Sequence, residues 1–395
     1  MDVLLTDASS RISYSALRSL CSLGLKVAVA DTSLTGMCQW SRLPSAKFTY
    51  SPPLSRQEDF IRDVLWILKE TGAKFLLPGY DETEVLAKYR DRIPPDVVMP
   101  IASYENISLA NDKGRTLAYA KSLGVPVPEI IEWRTFKELE GSLKEDGSVV
   151  VKLRRGNSAK GVFYAGSAEE AVGICRRLIE KYDLPPERYP LVQRKVYGPK
   201  WTVSCVYDRG KELSSITQKM LREKPVSGGT STYRVTDRNE EIEDYTRRML
   251  EGMGWHGIIM VEYKYDPRTG RFWFMELNPR LWGAISHAVA ADADFVKILH
   301  TASTQGLEKA RAMVRPPRLG VYGRWILGDV MICMQEMKRL HLWSAVKVLM
   351  PEKTHDYDEF KLDDPIAFFG EVAYFVKKTL VKSYSKIPAV DEGLG

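Results

Sequence analysis

From Val3 to Leu77 the chain alternates short apolar runs with amphipathic stretches: Val3-Leu4-Leu5-Thr6, Ser13 to Leu23, Val27-Ala28-Val29-Ala30-Asp31, Phe60 to Leu68, then Phe75-Leu76-Leu77. Apolar strands alternating with helices point to βαβ units and a parallel sheet, so residues 1–105 are expected to form an α/β domain. A further helix begins at Asn111-Asp112-Lys113 and is closed by Leu123-Gly124 with Pro126 and Pro128 behind it. Ser148 to Leu153, Leu191 to Gln193 and Trp201 to Tyr207 then read as strands of an α+β unit. Beyond Arg315-Pro316-Pro317 the pattern is helical, and residues 311–395 are expected to be a mainly helical extension.

The richest stretch lies within the α+β unit. Gly257 to Tyr265 and Arg271 to Leu277 are dense in β-branched and aromatic residues and flank Asp266-Pro267-Arg268-Thr269-Gly270, which predicts a hairpin. With Tyr265 opposite Arg271, Glu262 faces Phe274, and Glu276 is a diagonal neighbour about 7 Å away on the same face. Asn278 points the same way. A slip of one residue would send Glu276 to the opposite face. Two carboxylates so close repel unless a cation or a proton intervenes. Mg²⁺ suits them, because it takes one or two protein carboxylates and completes its octahedron with water and phosphate oxygens. Taken alone, the pair also reads as a solvated sheet face.

Three loops add chemistry. Lys152 ends a valine run and leads into Arg154-Arg155-Gly156-Asn157-Ser158-Ala159-Lys160-Gly161, whose cations and backbone N–H groups suit phosphate; a basic surface turn is the plain alternative. Leu191 to Pro199 breaks from strand to turn, where backbone groups can read an adenine edge. Pro225 to Thr232, with paired glycines, is either a lid or an ordinary surface loop. Gly79-Tyr80-Asp81-Glu82-Thr83 follows a strand end, as a ligand contact or as an N-capped helix start. Arg154, Arg155 and Arg222 are candidates to hold an acidic substrate.

Composition narrows the field. The chain carries 57 basic and 51 acidic residues, a net charge of +6, which favours neither nucleic acid nor stable membrane insertion and suits an enzyme that handles anions. Five scattered cysteines without a Cys-x-x-Cys spacing read as reduced thiols, and the N-terminus shows no secretory pattern, so a cytoplasmic protein is expected. With five histidines and no H-x-x-x-H pair, zinc is disfavoured. The first turn, Thr6-Asp7-Ala8-Ser9-Ser10, lacks G-x-G-x-x-G, which disfavours NAD. In the extension, Trp343, Phe368, Phe369, Lys377, Lys378 and Lys382 are expected to accompany packing onto the core, with a dimer surface or contact with an anionic membrane as alternatives.

In the order Lys113, Lys152 with its glycine-bearing loop, Gln193 to Val196, Glu262, and Glu276-x-Asn278-x-Arg280, the chain resembles the ATP-grasp superfamily, in its carboxylate-amine ligase and carbamoyl-phosphate-synthase-like branch. The resemblance covers roughly residues 1 to 305 and implies a preATP-grasp, Rossmann-like domain at 1–105. A two-lobed ATP-grasp domain at 106–310 would follow, split into 106–190 and 191–310, with the helical extension after it. By position, Lys113 and Lys152 would meet ATP phosphates, and Gly156, Lys160 and Gly161 would form the phosphate-covering loop. Gln193 and Val196 would meet adenine. Glu262, Glu276 and Asn278 would ligate Mg²⁺, or Mn²⁺ in its place, while Arg280 would steady the transferring phosphoryl group or an acyl phosphate. Lys152 and Arg280 would be the catalytic cations. The implied activity joins a small-molecule carboxylate to an amine, such as an amino acid or peptide-like metabolite, and releases ADP and phosphate; a homodimer is compatible. A subunit of a biotin-dependent-type carboxylase and a non-catalytic ATP-binding regulator are the alternatives. Arg194 and Lys200 depart from the family pattern, in which acids are common at these positions.

Overall fold

The structure is a computed structural model that describes residues 1–143, 148–156, 161–224 and 229–384, with side chains placed to residue 377. The N-terminal strands β1 (Val3–Leu5), β2 (Val27–Asp31), β3 (Ala46–Thr49) and β4 (Phe75–Leu77) pair in parallel in the order β3-β2-β1-β4. β1, β2 and β4 are buried throughout, as the uninterrupted apolar runs require. Helix Arg11–Cys21 follows β1, capped by the Ser10 hydroxyl, which accepts from Ser13 N. The turn before it brings Asp7, at φ 55°, to the C-terminal end of the sheet.

A small antiparallel sheet follows. It consists of β5 (Ile130–Ile131), β6 (Val149–Lys152), β7 (Val162–Ala165) and β8 (Leu191–Arg194), in the order β5-β8-β6-β7. β8 lies just past the expected lobe boundary at 190, yet its pairing with β5 and β6 places it in this sheet. The large sheet is built from β9 (Lys200–Asp208), β10 (Lys211–Lys224), β11 (Thr230–Asp237), β12 (Gly257–Asp266), β13 (Arg271–Asn278), β14 (Tyr322–Arg324) and β15 (Asp356–Tyr357). Its order is β13-β12-β9-β10-β11-β14-β15. Period-two alternation sorts its faces: Trp201, Val203, Cys205, Val261 and Tyr263 enter one apolar core, while Lys200, Thr202, Met260, Glu262 and Lys264 line a cleft on the other side.

The β12–β13 hairpin forms, but in a register that corrects the expected one. At the turn Tyr265 pairs with Phe272 and Asp266 with Arg271, one residue off the expected pairing. Carried on unchanged, that register would set Met275 opposite Glu262 and put Glu276 on the far face. A register shift between Glu262 and Tyr263 inserts Met275 as an extra residue, and beyond this bulge Glu262 stands directly opposite Glu276. The two acids thus share a face as cross-strand partners rather than diagonal ones.

The extension is less purely helical than its pattern suggests, since β14 and β15 extend the large sheet. Its last helix, Pro365–Tyr384, packs across Met37–Trp40, with Gly370 so close to Gly36 that a Cβ would lie 2.4 Å from the Gly36 carbonyl oxygen. Tyr14, Ser41 and Arg18 reach Asp364 and Asp363. The expected packing of the tail's aromatics holds only in part: Phe375 meets Trp325, but Trp343 is 73% exposed and Phe369 is 59% exposed.

Candidate active site

The three sheets converge on a cavity of about 450 Å³. At one end lie Pro128, Val150, Val162, Gln193, Val196 and Met275, an apolar slot with one amide in it. Gln193 is buried, and neither its amide oxygen nor its nitrogen has a hydrogen-bond partner. A buried amide left unpaired costs free energy unless something meets it. The edge of a planar heterocycle supplies the complementary donors and acceptors.

Lys113 and Lys152 stand in the middle of the cavity. Asp112 caps the helix Lys113–Ser122 by accepting from Gly114 N and Arg115 N, and Lys113 N donates 2.9 Å to Arg154 O, which seats the helix start against the loop after β6. The Lys113 ammonium donates to the Gly156 carbonyl and lies 3.6 Å from Glu276 Oε2. Burial pulls the Lys152 ammonium down to about 8; Glu276 works against this, while Lys113 and Lys264 add to it. Gly156 lines the cavity. Gly161, at φ 73°, closes the turn, its carbonyl accepting from Leu153 N at 2.8 Å. Lys160 falls outside the described residues.

Opposite the lysines, Glu262, Glu276 and Asn278 form one polar patch. Asn278 Nδ2 is 3.4 Å from an oxygen of each glutamate, and Asn278 Oδ1 accepts from Arg280 Nη2 at 3.1 Å. To offer its oxygen to a cation beside the glutamates, this amide would turn over. Arg280 lies 4.0 Å above the Tyr80 ring, and its Nε is 3.4 Å from Asp81 Oδ1, so the Gly79–Thr83 segment contributes to the site as well as starting a helix. Burial raises the Glu262 carboxyl, with Lys200 opposing and Glu276 adding. Burial also works to raise Glu276, but Lys113, Lys200 and Lys152 together hold it below the usual value. The donor set fits Mg²⁺: two carboxylates and an amide on one side, with room for phosphate oxygens on the other.

Reasoning from sequence left out several cavity residues. Lys200 departs from the family pattern and proves central: its ammonium lies 2.9 Å from Glu223 Oε1 and 3.0 Å from Glu262 Oε2, and donates to Gly229 O at 2.8 Å. Burial works to lower it, but the two glutamates overcome this and raise it. Past Arg280 the cavity is lined by Asp7, Arg11, Tyr80, Lys224, Trp325, Tyr374 and Phe375, with Arg11 stacked 3.7 Å over the Trp325 ring. The strand alternation that placed Glu262 also applies to Lys200, whereas nothing local marks Arg11 or Phe375. The three arginines offered for an acidic substrate are otherwise engaged. Arg154 bonds Tyr189 O, Arg155 bonds Glu84 and Ser108, and Arg222 forks onto Asp329 and reaches Glu352.

Residues 187–325 match the family model described as ATP-grasp in the biosynthetic pathway with Ter operon. The chain also resembles the L-amino acid ligase from Bacillus licheniformis, with a TM-score of 0.62 at 16% identity, over 80% of this chain and 78% of that one. Residues 187–325 thus carry an ATP-grasp sequence pattern, and the likeness to the ligase shows a shared fold. A second solved structure, the biotin carboxylase domain of the Hydrogenobacter thermophilus 2-oxoglutarate carboxylase in complex with MgADP, ADP and bicarbonate, matches with a TM-score of 0.61 at 16% identity, over 81% of this chain and 73% of that one. Biotin carboxylase 1 of Bacillus subtilis (strain 168) is 24% identical over 302 residues, 70% of this chain and 64% of that protein. The chain thus spans just under two thirds of the length of that curated relative.

Proposed function

We propose that this chain is an ATP- and Mg²⁺-dependent ligase that activates a carboxylate as an acyl phosphate and joins it to an amine, releasing ADP and phosphate. One observation carries the reading. Lys113 and Lys152 line one cavity together with Glu262, Glu276 and Asn278, Lys113 lying 3.6 Å from Glu276, and the same cavity extends past Arg280 to a far compartment lined by Asp7, Arg11 and Trp325.

Gln193 and the slot around it hold the adenine. Lys113 and Lys152 hold the phosphates, and Glu262, Glu276 and Asn278 hold Mg²⁺, which neutralises charge on the phosphate oxygens when bound. A carboxylate oxygen of the substrate in the far compartment bonds to the γ-phosphorus as the bond from that phosphorus to the bridging oxygen of ADP breaks. Arg280, held by Asp81 and stacked on Tyr80, faces the charge that develops in this transfer. The amine nitrogen then bonds to the acyl carbon, the C–O bond to phosphate breaks, and the amine proton leaves to solvent or phosphate. No covalent bond to the protein is needed.

The deciding experiment places ¹⁸O in the substrate carboxylate and follows the released phosphate by mass spectrometry. Label in the phosphate supports the acyl phosphate; unlabelled phosphate from a turning-over enzyme overturns it. The match to Biotin carboxylase 1 of Bacillus subtilis favours a second reading, a carboxylase of the biotin-dependent type. ADP release that requires bicarbonate together with biotin, and no amine, would select it. ATP binding with no ADP release across panels of acids and amines would select a regulatory protein.

A further inference from the structure

The helices Ile326–Lys338 and Leu342–Leu349 form a hairpin whose outer face is apolar and, among the described residues, uncovered. On the first helix Val330, Met334 and Met337 recur at positions i, i+4 and i+7, and on the second Leu342, Val346 and Leu349 do the same, with Trp343 and Met350 beside them. All eight are exposed. Leu340, at the turn between the helices with φ 62°, is 83% exposed. None of these side chains belongs to the apolar cores. The second helix buries only Ala345. A continuous apolar patch of this kind marks an interaction surface rather than scattered surface hydrophobics.

The hairpin is firmly seated. The inner face of its first helix buries Asp329, Ile332 and Glu336, and Asp329 receives both Arg222 and Arg324. The bare face is therefore held outward by a buried charge cluster.

The exposed charges on the hairpin itself are of one sign. Lys338, Arg339 and Lys347 are exposed among the apolar residues, together with His341. The only acid between Val330 and Met350 is Glu336, which is buried and paired with His341 at 3.0 Å and Arg339 at 3.5 Å. Tryptophan and leucine beside lysine and arginine, on helices that lie along a surface, are the composition of an interfacial element that sinks its apolar side chains among lipid headgroups. A two-fold pairing of this face with a second copy would instead bring Lys338, Arg339 and Lys347 near their like-charged counterparts. No helix among the described residues is long and apolar enough to cross a membrane, so the contact is peripheral.

We propose that the Ile326–Leu349 hairpin docks the protein on an anionic lipid bilayer, with Leu340, Trp343, Val346 and Met337 entering the headgroup layer and Lys338, Arg339 and Lys347 meeting the lipid charges.

The test is co-sedimentation of the full chain with vesicles of phosphatidylcholine, with and without phosphatidylserine. Binding to the anionic vesicles that weakens with added salt is expected, with much less binding to the neutral ones. Lys347→Gln should weaken anionic-vesicle affinity about fivefold, and Leu340→Ser with Trp343→Ser should weaken it by at least about tenfold. ATP binding and thermal unfolding of the same variants report whether they fold; if the double variant does not, the surface change Lys347→Gln still decides. Brominated phosphatidylserine should quench part of the tryptophan fluorescence, and Trp343→Phe should remove that part. The proposal is overturned if the wild-type chain stays in the supernatant with anionic vesicles at low salt. It is equally overturned if sedimentation shows a dimer that Leu340→Ser dissociates, which would give the face to a second copy.

Discussion

The Lys200 ammonium lies 3.0 Å from Glu262 Oε2, so one of the two acids proposed to hold Mg²⁺ is already partnered by a cation of the chain itself. The same ammonium reaches Glu223, which no reading of the hairpin alone would include. Lys200 therefore offsets part of the repulsion among these carboxylates before any ligand arrives. Replacing it with methionine should leave Glu223 and Glu262 seeking a cation. Mn²⁺ followed by electron paramagnetic resonance in the absence of nucleotide should bind Lys200→Met more tightly than wild type, by about tenfold or more on the scale of one lost buried ion pair. Equal or weaker Mn²⁺ binding would show that Lys200 does not compete for this position.

How much of this arrangement is legible in the sequence differs from residue to residue. β-branched runs around Asp266 to Gly270 predict the hairpin, and alternation puts Glu262 and Asn278 on one face. The pairing of Glu276 is another matter, because a bulge at Met275 has no local signature: it depends on how β12 fits between β9 and β13. Here the expected register is wrong by one residue at the turn, and the shared face survives because the bulge adds one. The parallel sheet at the start is readable because each buried strand is apolar without interruption. The far wall of the cavity is not, since Arg11, Trp325 and Phe375 are brought together by the course of the tail and each looks ordinary in its own neighbourhood.

Glu276 faces three ammonium groups. Glu276→Gln keeps the shape, removes the charge, and should lower kcat by at least about 10²-fold while thermal unfolding changes little. Steady-state ADP release and a melting curve on the same preparation check this. An inactive variant that also fails to fold would make Glu276 a structural residue.

Gln193 presents both ends of a buried amide to the slot without a partner. If adenine meets it, Gln193→Ala should weaken ATP binding by about 1 kcal/mol or more, a factor of roughly five to ten, and weaken inorganic triphosphate binding far less. Isothermal titration with both ligands separates the base from the phosphates. An equal loss for the two would place the adenine elsewhere.

Glu359 and Glu371 are held well above the carboxylate range, Glu359 at about 8 and Glu371 at about 7, first by burial and then by neighbouring charge: Glu371 and Asp358 act on Glu359, while for Glu371 Arg11 opposes the rise and Asp358 adds to it. In the unfolded chain both ionise near the ordinary glutamate value, so between that value and about 8 the folded state holds protons that the unfolded state has lost. Stability should therefore fall as pH rises across this interval, by up to about 1.4 kcal/mol per pH unit for each group, and level off above it. Urea titrations over that range should show the slope. Glu359→Gln and Glu371→Gln should each flatten it; an unchanged slope would assign the protons to other groups.

Buried Asp358 receives Arg234 from β11 and lies 3.5 Å from Arg11 of the first helix. Pulling the N-terminal sheet or the large sheet away from the tail would leave this carboxylate stranded, at a cost of about 3–5 kcal/mol. The small sheet meets the N-terminal part through Arg155 and Glu84, a partly exposed pair of the kind worth about 1 kcal/mol or less. Three segments far apart in the chain thus make a single anvil. On the proposed reading, a closing stroke over a nucleotide would fall to the small lobe, carrying Gln193 and Lys152 together toward Glu262 and Glu276.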